Sequence, residues 1–170
     1  MNQDFDKLRG AKLLLAEDNE INQELLVDLL HECGIELTIA NNGQEALDIL
    51  DQEQFDGILM DCQMPVMNGY DATRKIREQL RFKSLPIIAV TANAMEGDRE
   101  KAISSGMNDH IAKPIHLEKV LQTLLKWIDT NYQVISMSGS QSNSEEFSDL
   151  KTTPELGISQ NAGNPLLKKH

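Results

Sequence analysis

Five times along its first 130 residues, the chain alternates a short run rich in Val, Ile and Leu with a longer amphipathic segment. Strands that are apolar along most of their length are buried on both faces, and such a sheet is parallel, covered by its own crossover helices. The runs fall at Lys12 to Glu17, Glu36 to Ala40, Gly57 to Asp61, Leu85 to Thr91 and Asp109 to Ala112. The expected fold is therefore α/β, a doubly wound five-stranded parallel sheet with five helices.

Between the runs, Ile21, Leu25, Leu29 and Cys33 recur at steps of four, which predicts a sheet-facing stripe on a helix stopped by Gly34. Shorter helices are expected over Gln44 to Leu50, Tyr70 to Leu80 and Glu96 to Ser105, with Gly106 closing the third of them. The clearest pattern is Leu117, Val120, Leu121, Leu124, Leu125 and Ile128, an i, i+3, i+4, i+7, i+8, i+11 stripe that reads as core packing.

A length of 170 residues supports one ordinary domain and a tail. Residues 1–10 read as a linker and 11–130 as the domain. Residues 131–154 read as a polar linker, and 155–170 as a tail that regains leucines around Gly157, Gly163 and Pro165. The longest apolar runs are only four residues and the amino terminus lacks the pattern of a secretory signal, so a cytosolic setting without direct membrane contact is expected.

Cys33 and Cys62 have neither the density of a disulfide scaffold nor metal-ligand spacing and read as reduced, buried thiols. His31, His110, His116 and His170 form no pair at zinc spacing, so any metal should be oxygen-bound. The formal charge of −11, with no cluster of Lys and Arg, argues against direct nucleic-acid contact and leaves proteins or small ions as partners.

Ligands of open parallel sheets gather at the carboxyl ends of the strands. Glu17 and Asp18 end the first run, Asp61 the third and Thr91 the fourth, while Lys113 follows the fifth. Singly, each has an ordinary role: Asp18 could cap the helix near Glu20, Thr91 the one near Met95, and Lys113 could be solvated. Jointly they supply the parts of acyl-phosphate chemistry, which is mostly positioning and charge neutralisation. Asp61 is the candidate nucleophile. Glu17 and Asp18 would each repel it by roughly 1–4 kcal/mol at about 4 Å, depending on the effective dielectric, unless a cation intervenes. Mg²⁺ suits such a carboxylate cluster better than Zn²⁺ does. Lys113 can hold a phosphate oxygen as a point charge, and the Thr91 hydroxyl can donate to the transferred group.

Four blocks, LLLAEDNEINQELL, ILMDCQMPVMNGYDATRKIR, LPIIAVTANA and MNDHIAKPI, resemble in order and spacing the receiver domains of bacterial response regulators and hybrid histidine kinases over about residues 11–130. The resemblance implies a flavodoxin-like receiver fold that accepts a phosphoryl group on Asp61. It implies Mg²⁺ ligation by Glu17, Asp18, Asp61 and the backbone carbonyl of Gln63, and phosphate contacts from Thr91, Ala92 and Lys113. It also implies a cis bond between Lys113 and Pro114, and a turn shaped by Met64, Pro65 and Gly69.

Many receivers carry Tyr or Phe where this chain has His110, which leaves two readings open: a ring that swings inward as Thr91 moves, or a neutral core or surface histidine. EDNEINQ and AVTANAM resemble receivers of hybrid sensor kinases, with a free-standing response regulator as the alternative. GISQNAGNPLLKKH resembles the opening of a histidine phosphotransfer domain. The partners implied are the dimerisation and phosphohistidine domain of a histidine kinase and a histidine phosphotransfer domain. Such a domain catalyses its own phosphorylation and dephosphorylation without being a turnover enzyme alone. A phosphohydrolase of the haloacid dehalogenase kind would need a second Asp where Gln63 stands, and a flavin or nucleotide binder would not open with Glu-Asp-Asn.

Overall fold

A computed structural model describes residues 3–93 and 95–128; the linker and tail expected over 131–170 lie outside the described residues. Five strands form one parallel sheet: β1 (Lys12–Ala16), β2 (Glu36–Ala40), β3 (Gly57–Asp61), β4 (Ile87–Thr91) and β5 (Asp109–Ala112). Their order is β2-β1-β3-β4-β5, so the winding reverses between β1 and β3. The helices are α1 (Glu20–Glu32), α2 (Gly43–Leu50), α3 (Gly69–Glu78), α4 (Glu96–Ser105) and α5 (Leu117–Trp127). A short 3-10 helix, Leu80–Phe82, leads toward β4. β4 begins at Ile87 rather than at the expected Leu85, since Pro86 has no N–H to give the ladder.

Alternation along the strands divides the core in two. Leu13, Leu15, Leu59, Val90 and Ile111 pack on the α1 and α5 side, while Leu14, Ala16, Ile58, Met60 and Ala89 pack on the side of α2, α3 and α4. Asn19, Asn42 and Asn68 cap α1, α2 and α3, each accepting a backbone N–H three residues on. Gly34 and Gly106, at φ 78° and 109°, close α1 and α4 in the left-handed conformation expected of glycine after a helix.

Two expectations need correction. The stripe Ile21, Leu25, Leu29 and Cys33 does not face the sheet: Ile21 is 76% exposed and Leu25 44%, whereas Gln23, Leu26 and Leu30 are buried. A row taken at steps of four drifts by about 40° per step around a helix of 3.6 residues per turn, so it cannot stay on one face. Residues 3–8, expected as linker, instead form a 3-10 helix (Gln3–Leu8) packed on α5, with Leu8 fully buried among the α1 and α5 side chains. Leu8→Ala is expected to cost about 2–4 kcal/mol by the lost transfer energy and residual cavity, measured as a shift in the urea unfolding midpoint. Retention of the wild-type midpoint would mean that this segment contributes nothing to the fold. Among the described residues, no helix is long and apolar enough to cross a membrane.

Candidate functional site

The sheet's alternation places three charged groups together. Glu17, Asp61 and Lys113 each stand two residues beyond Leu15, Leu59 and Ile111, which pack in the same core cluster, so the three share one face at the carboxyl edge. Lys113 Nζ donates to Glu17 Oε2 at 3.0 Å and to Asp61 Oδ2 at 3.3 Å. Glu17 and Asp61 are buried; Asp18 is exposed at the cleft mouth. One oxygen from each of these three carboxylates can lie within 4.8 Å of the others.

The helix-capping role open to Asp18 belongs instead to Asn19, whose side chain accepts the Asn22 N–H. Asp18 is thus left to the cleft. Thr91 caps nothing either: α4 begins after Met95, which makes no side-chain cap bond, and Thr91 Oγ1 donates to the Asn93 carbonyl and accepts the Asn93 N–H. The backbone N–H of Gln63 donates to Asp61 Oδ1 at 3.2 Å. Lys113 N–H donates to the Thr91 carbonyl at 2.8 Å, and the Lys113–Pro114 bond is cis, as the resemblance implied.

The turn after Asp61 is tight. Met67 N–H donates to the Pro65 carbonyl around Val66, which holds φ 68° while 83% exposed. Gly69 follows, its N–H donating to the Cys62 carbonyl and its Cα pressed against the Asp61 backbone. His110 faces the same side of the sheet as its register partner Ala89. It does not line the cleft, and its Nδ1 is buried without a hydrogen-bond partner, 3.7 Å from Asp109 Oδ1.

Burial, reinforced by the Glu17 carboxylate, pushes Asp61 up to about 6, against the opposing effects of the Gln63 N–H and Lys113. Lys113 is held above its usual range: burial pulls it down, but the bond to Glu17 and the charges of Asp61 and Glu17 outweigh that. Cys62, next to Asp61, is a free, buried thiol whose pKa is raised by burial, so it is poorly nucleophilic; Cys33 is free but only half-buried, not buried as expected.

The cleft has a volume of about 260 Å³ and is lined by four carboxylates, from Glu17, Asp18, Asp61 and Asp98, against the single ammonium of Lys113. Such a set of hard oxygen donors in charge deficit fits a Mg²⁺ ion. Asn22, Tyr70, Asn93 and Asp98 also line it, and the sequence pattern did not single them out. Asp98, in the first turn of a helix that follows a strand-end loop, had a positional signal in the sequence.

A family model described as the response regulator receiver domain matches residues 13–126. Hybrid signal transduction histidine kinase I of Dictyostelium discoideum is 44% identical over 131 residues, covering 71% of this chain but only 8% of that kinase. The receiver domain of a sensor histidine kinase from Pseudomonas aeruginosa PAO1, solved with a magnesium ion coordinated in its active-site cleft, aligns with a TM-score of 0.65 and 42% identity. That alignment covers 69% of this chain and 97% of that one. The receiver domain of Ssk1 of Saccharomyces cerevisiae, crystallised with the histidine phosphotransfer protein Ypd1, aligns at TM-score 0.66 and 32% identity, covering 71% and 90%.

Proposed function

Since the chain belongs to the response regulator receiver domain family of two-component signalling, we propose that Asp61 is its phosphoryl acceptor in a phosphorelay. The observation that carries this reading is the Lys113 ammonium held between the buried carboxylates of Glu17 and Asp61 at the point where the sheet winding reverses. The donor is a phosphohistidine on a histidine kinase domain or a histidine phosphotransfer domain. The parent protein is a hybrid sensor kinase, a reading supported by the similarity to that Dictyostelium kinase. The proposed location is cytoplasmic.

An Asp61 oxygen attacks phosphorus as the P–N bond to the donor imidazole breaks, the bonding pair leaving with the imidazole nitrogen. Mg²⁺, held by Glu17, Asp18, Asp61 and the Gln63 carbonyl, would supply charge neutralisation for the transferred oxygens. Lys113, already within 3.3 Å of Asp61, turns to one phosphate oxygen, while the N–H of Ala92, which lines the cleft, donates to another.

Thr91 Oγ1 must give up its donated bond to the Asn93 carbonyl to donate to the phosphate, which loosens the loop into α4. That helix lacks a side-chain cap and buries only Ala102 and Ser105, so it is weakly anchored and suited to move. The face formed by β4, α4 and β5, with His110 on it, is the surface whose partner affinity changes.

The test is transfer from a purified, labelled phosphohistidine protein. Label should move to this chain in Mg²⁺ and not in chelator; label that stays on every competent donor would contradict the assignment. Asp18→Asn should weaken Mg²⁺ binding at least about tenfold, equivalent to roughly 1.4 kcal/mol, with unchanged unfolding, since Asn19 rather than Asp18 caps α1. Calorimetric titration measures it, and unaltered affinity would remove Asp18 from the site.

A further inference from the structure

Seven polar or charged residues of the described structure are buried, and three of them, Glu17, Asp61 and Thr91, already belong to the site. A fourth, Gln23, sits on the buried face of α1 between the cleft and the core, 8% exposed, at a position where the helix otherwise presents Leu26 and Leu30. Its Nε2 donates to the Glu17 carbonyl at 2.6 Å and to Asn41 Oδ1 at 2.9 Å. Asn41 in turn donates through its backbone N–H and Nδ2 to Glu45 Oε2, at 2.7 and 3.0 Å.

The polarity of this chain of bonds is forced from both ends. A carbonyl can only accept, so the amide nitrogen of Gln23 must face Glu17; an ionised carboxylate can only accept, so the Nδ2 of Asn41 must face Glu45. Asn41 is left to offer its oxygen to Gln23. Neither amide can flip without opposing acceptor to acceptor. The β1–α1 turn is thereby tied to the β2–α2 turn. The same turn aims the Glu17 carboxylate, whose Oε1 accepts the Asn19 N–H at 3.1 Å and whose Oε2 meets Lys113.

We infer that Gln23 is a positioning residue for the cation site: through the Glu17 carbonyl it fixes the turn that carries Glu17 and Asp18, with Asn41 and Glu45 setting its orientation. The inference rests on the reading of Glu17, Asp18 and Asp61 as the holders of Mg²⁺. Groups behind metal ligands typically change affinity by about 10- to 100-fold when removed.

The test is calorimetric Mg²⁺ titration of four proteins. Gln23→Met keeps the volume and removes both donated bonds, and it should raise the dissociation constant about tenfold. Leu26→Ala, one turn along on the same buried face, loosens α1 without touching the network and should leave the constant within about twofold, though it costs more stability. Asn41→Ala removes only the outer partner and should weaken binding roughly two- to fivefold, a milder change that decides the matter should Gln23→Met not fold.

Wild-type affinity in both network variants overturns the inference, as does an equal loss in Leu26→Ala, which would make the effect one of general stability. A wild type that binds no Mg²⁺ overturns the metal reading itself and this inference with it. Unchanged affinity in the network variants beside a wild type that binds removes Gln23 alone.

Discussion

Gly69→Ala should unfold at markedly lower urea than the wild type, with a loss of about 3 kcal/mol, the upper end of what overpacking costs. A Cβ at this position would lie 2.1 Å from the Asp61 carbonyl oxygen and 2.9 Å from Met60 Cγ. The first of these atoms is backbone in a central strand, so no rotamer change relieves the clash. Asp61 and the first turn of α3 must move apart, which also strains the bonds from Gly69 N–H to the Cys62 carbonyl and from Thr73 Oγ1 to the Gly69 carbonyl. Because the displaced backbone is that of the proposed acceptor, phosphoryl labelling should fall along with stability. A midpoint within error of wild type would show that the turn has slack that the packing denies.

Asp61→Asn should abolish labelling and at the same time make the metal-free fold more stable. The sign follows from the direction in which the fold moves the Asp61 pKa. Its folded value of about 6 lies above the ordinary 3.8, so between those values the folded state holds the proton that the unfolded state releases. Stability contributed by this group is present at low pH and lost as pH rises from about 4 to about 6, then stays level. Asparagine removes that loss. In chelator the stability difference between variant and wild type should grow by roughly 1–2 kcal/mol between pH 4.5 and pH 7, since a tenfold change in proton affinity is worth about 1.4 kcal/mol. Comparing the two proteins at each pH cancels the titration of carboxylates that do not touch Asp61. A difference that is flat, or that shrinks with pH, would mean that Glu17 and burial do not hold the proton on Asp61.

The site was legible because it is built from strand ends. Each strand is a short apolar run bounded by a polar residue, and once β1, β3, β4 and β5 are seen as parallel neighbours, Glu17, Asp18, Asp61, Thr91 and Lys113 must fall on one edge. The sequence is a weaker guide to which face of a helix is buried. In α1 the large apolar residues Ile21 and Leu25 are exposed, and a glutamine takes an inward position because it has a carbonyl to satisfy there. Hydrophobicity cannot register that exchange. The 3-10 helix at Gln3–Leu8 escaped for another reason: Phe5 and Leu8 are too few to establish a period, and their burial depends on α5, more than a hundred residues away. Asp18 and Asn19 are neighbours of equal capping propensity, so only the backbone decides which serves the helix and which serves the cleft.

The most direct test is the intact mass of wild type and Asp61→Asn after incubation with a small acyl phosphate and Mg²⁺, with and without chelator. An adduct of about 80 Da, the mass of a phosphoryl group, should form on the wild type only in Mg²⁺ and should be missing from Asp61→Asn in every condition. An adduct that persists in Asp61→Asn, or that forms equally well in chelator, would contradict Asp61 as the metal-assisted acceptor.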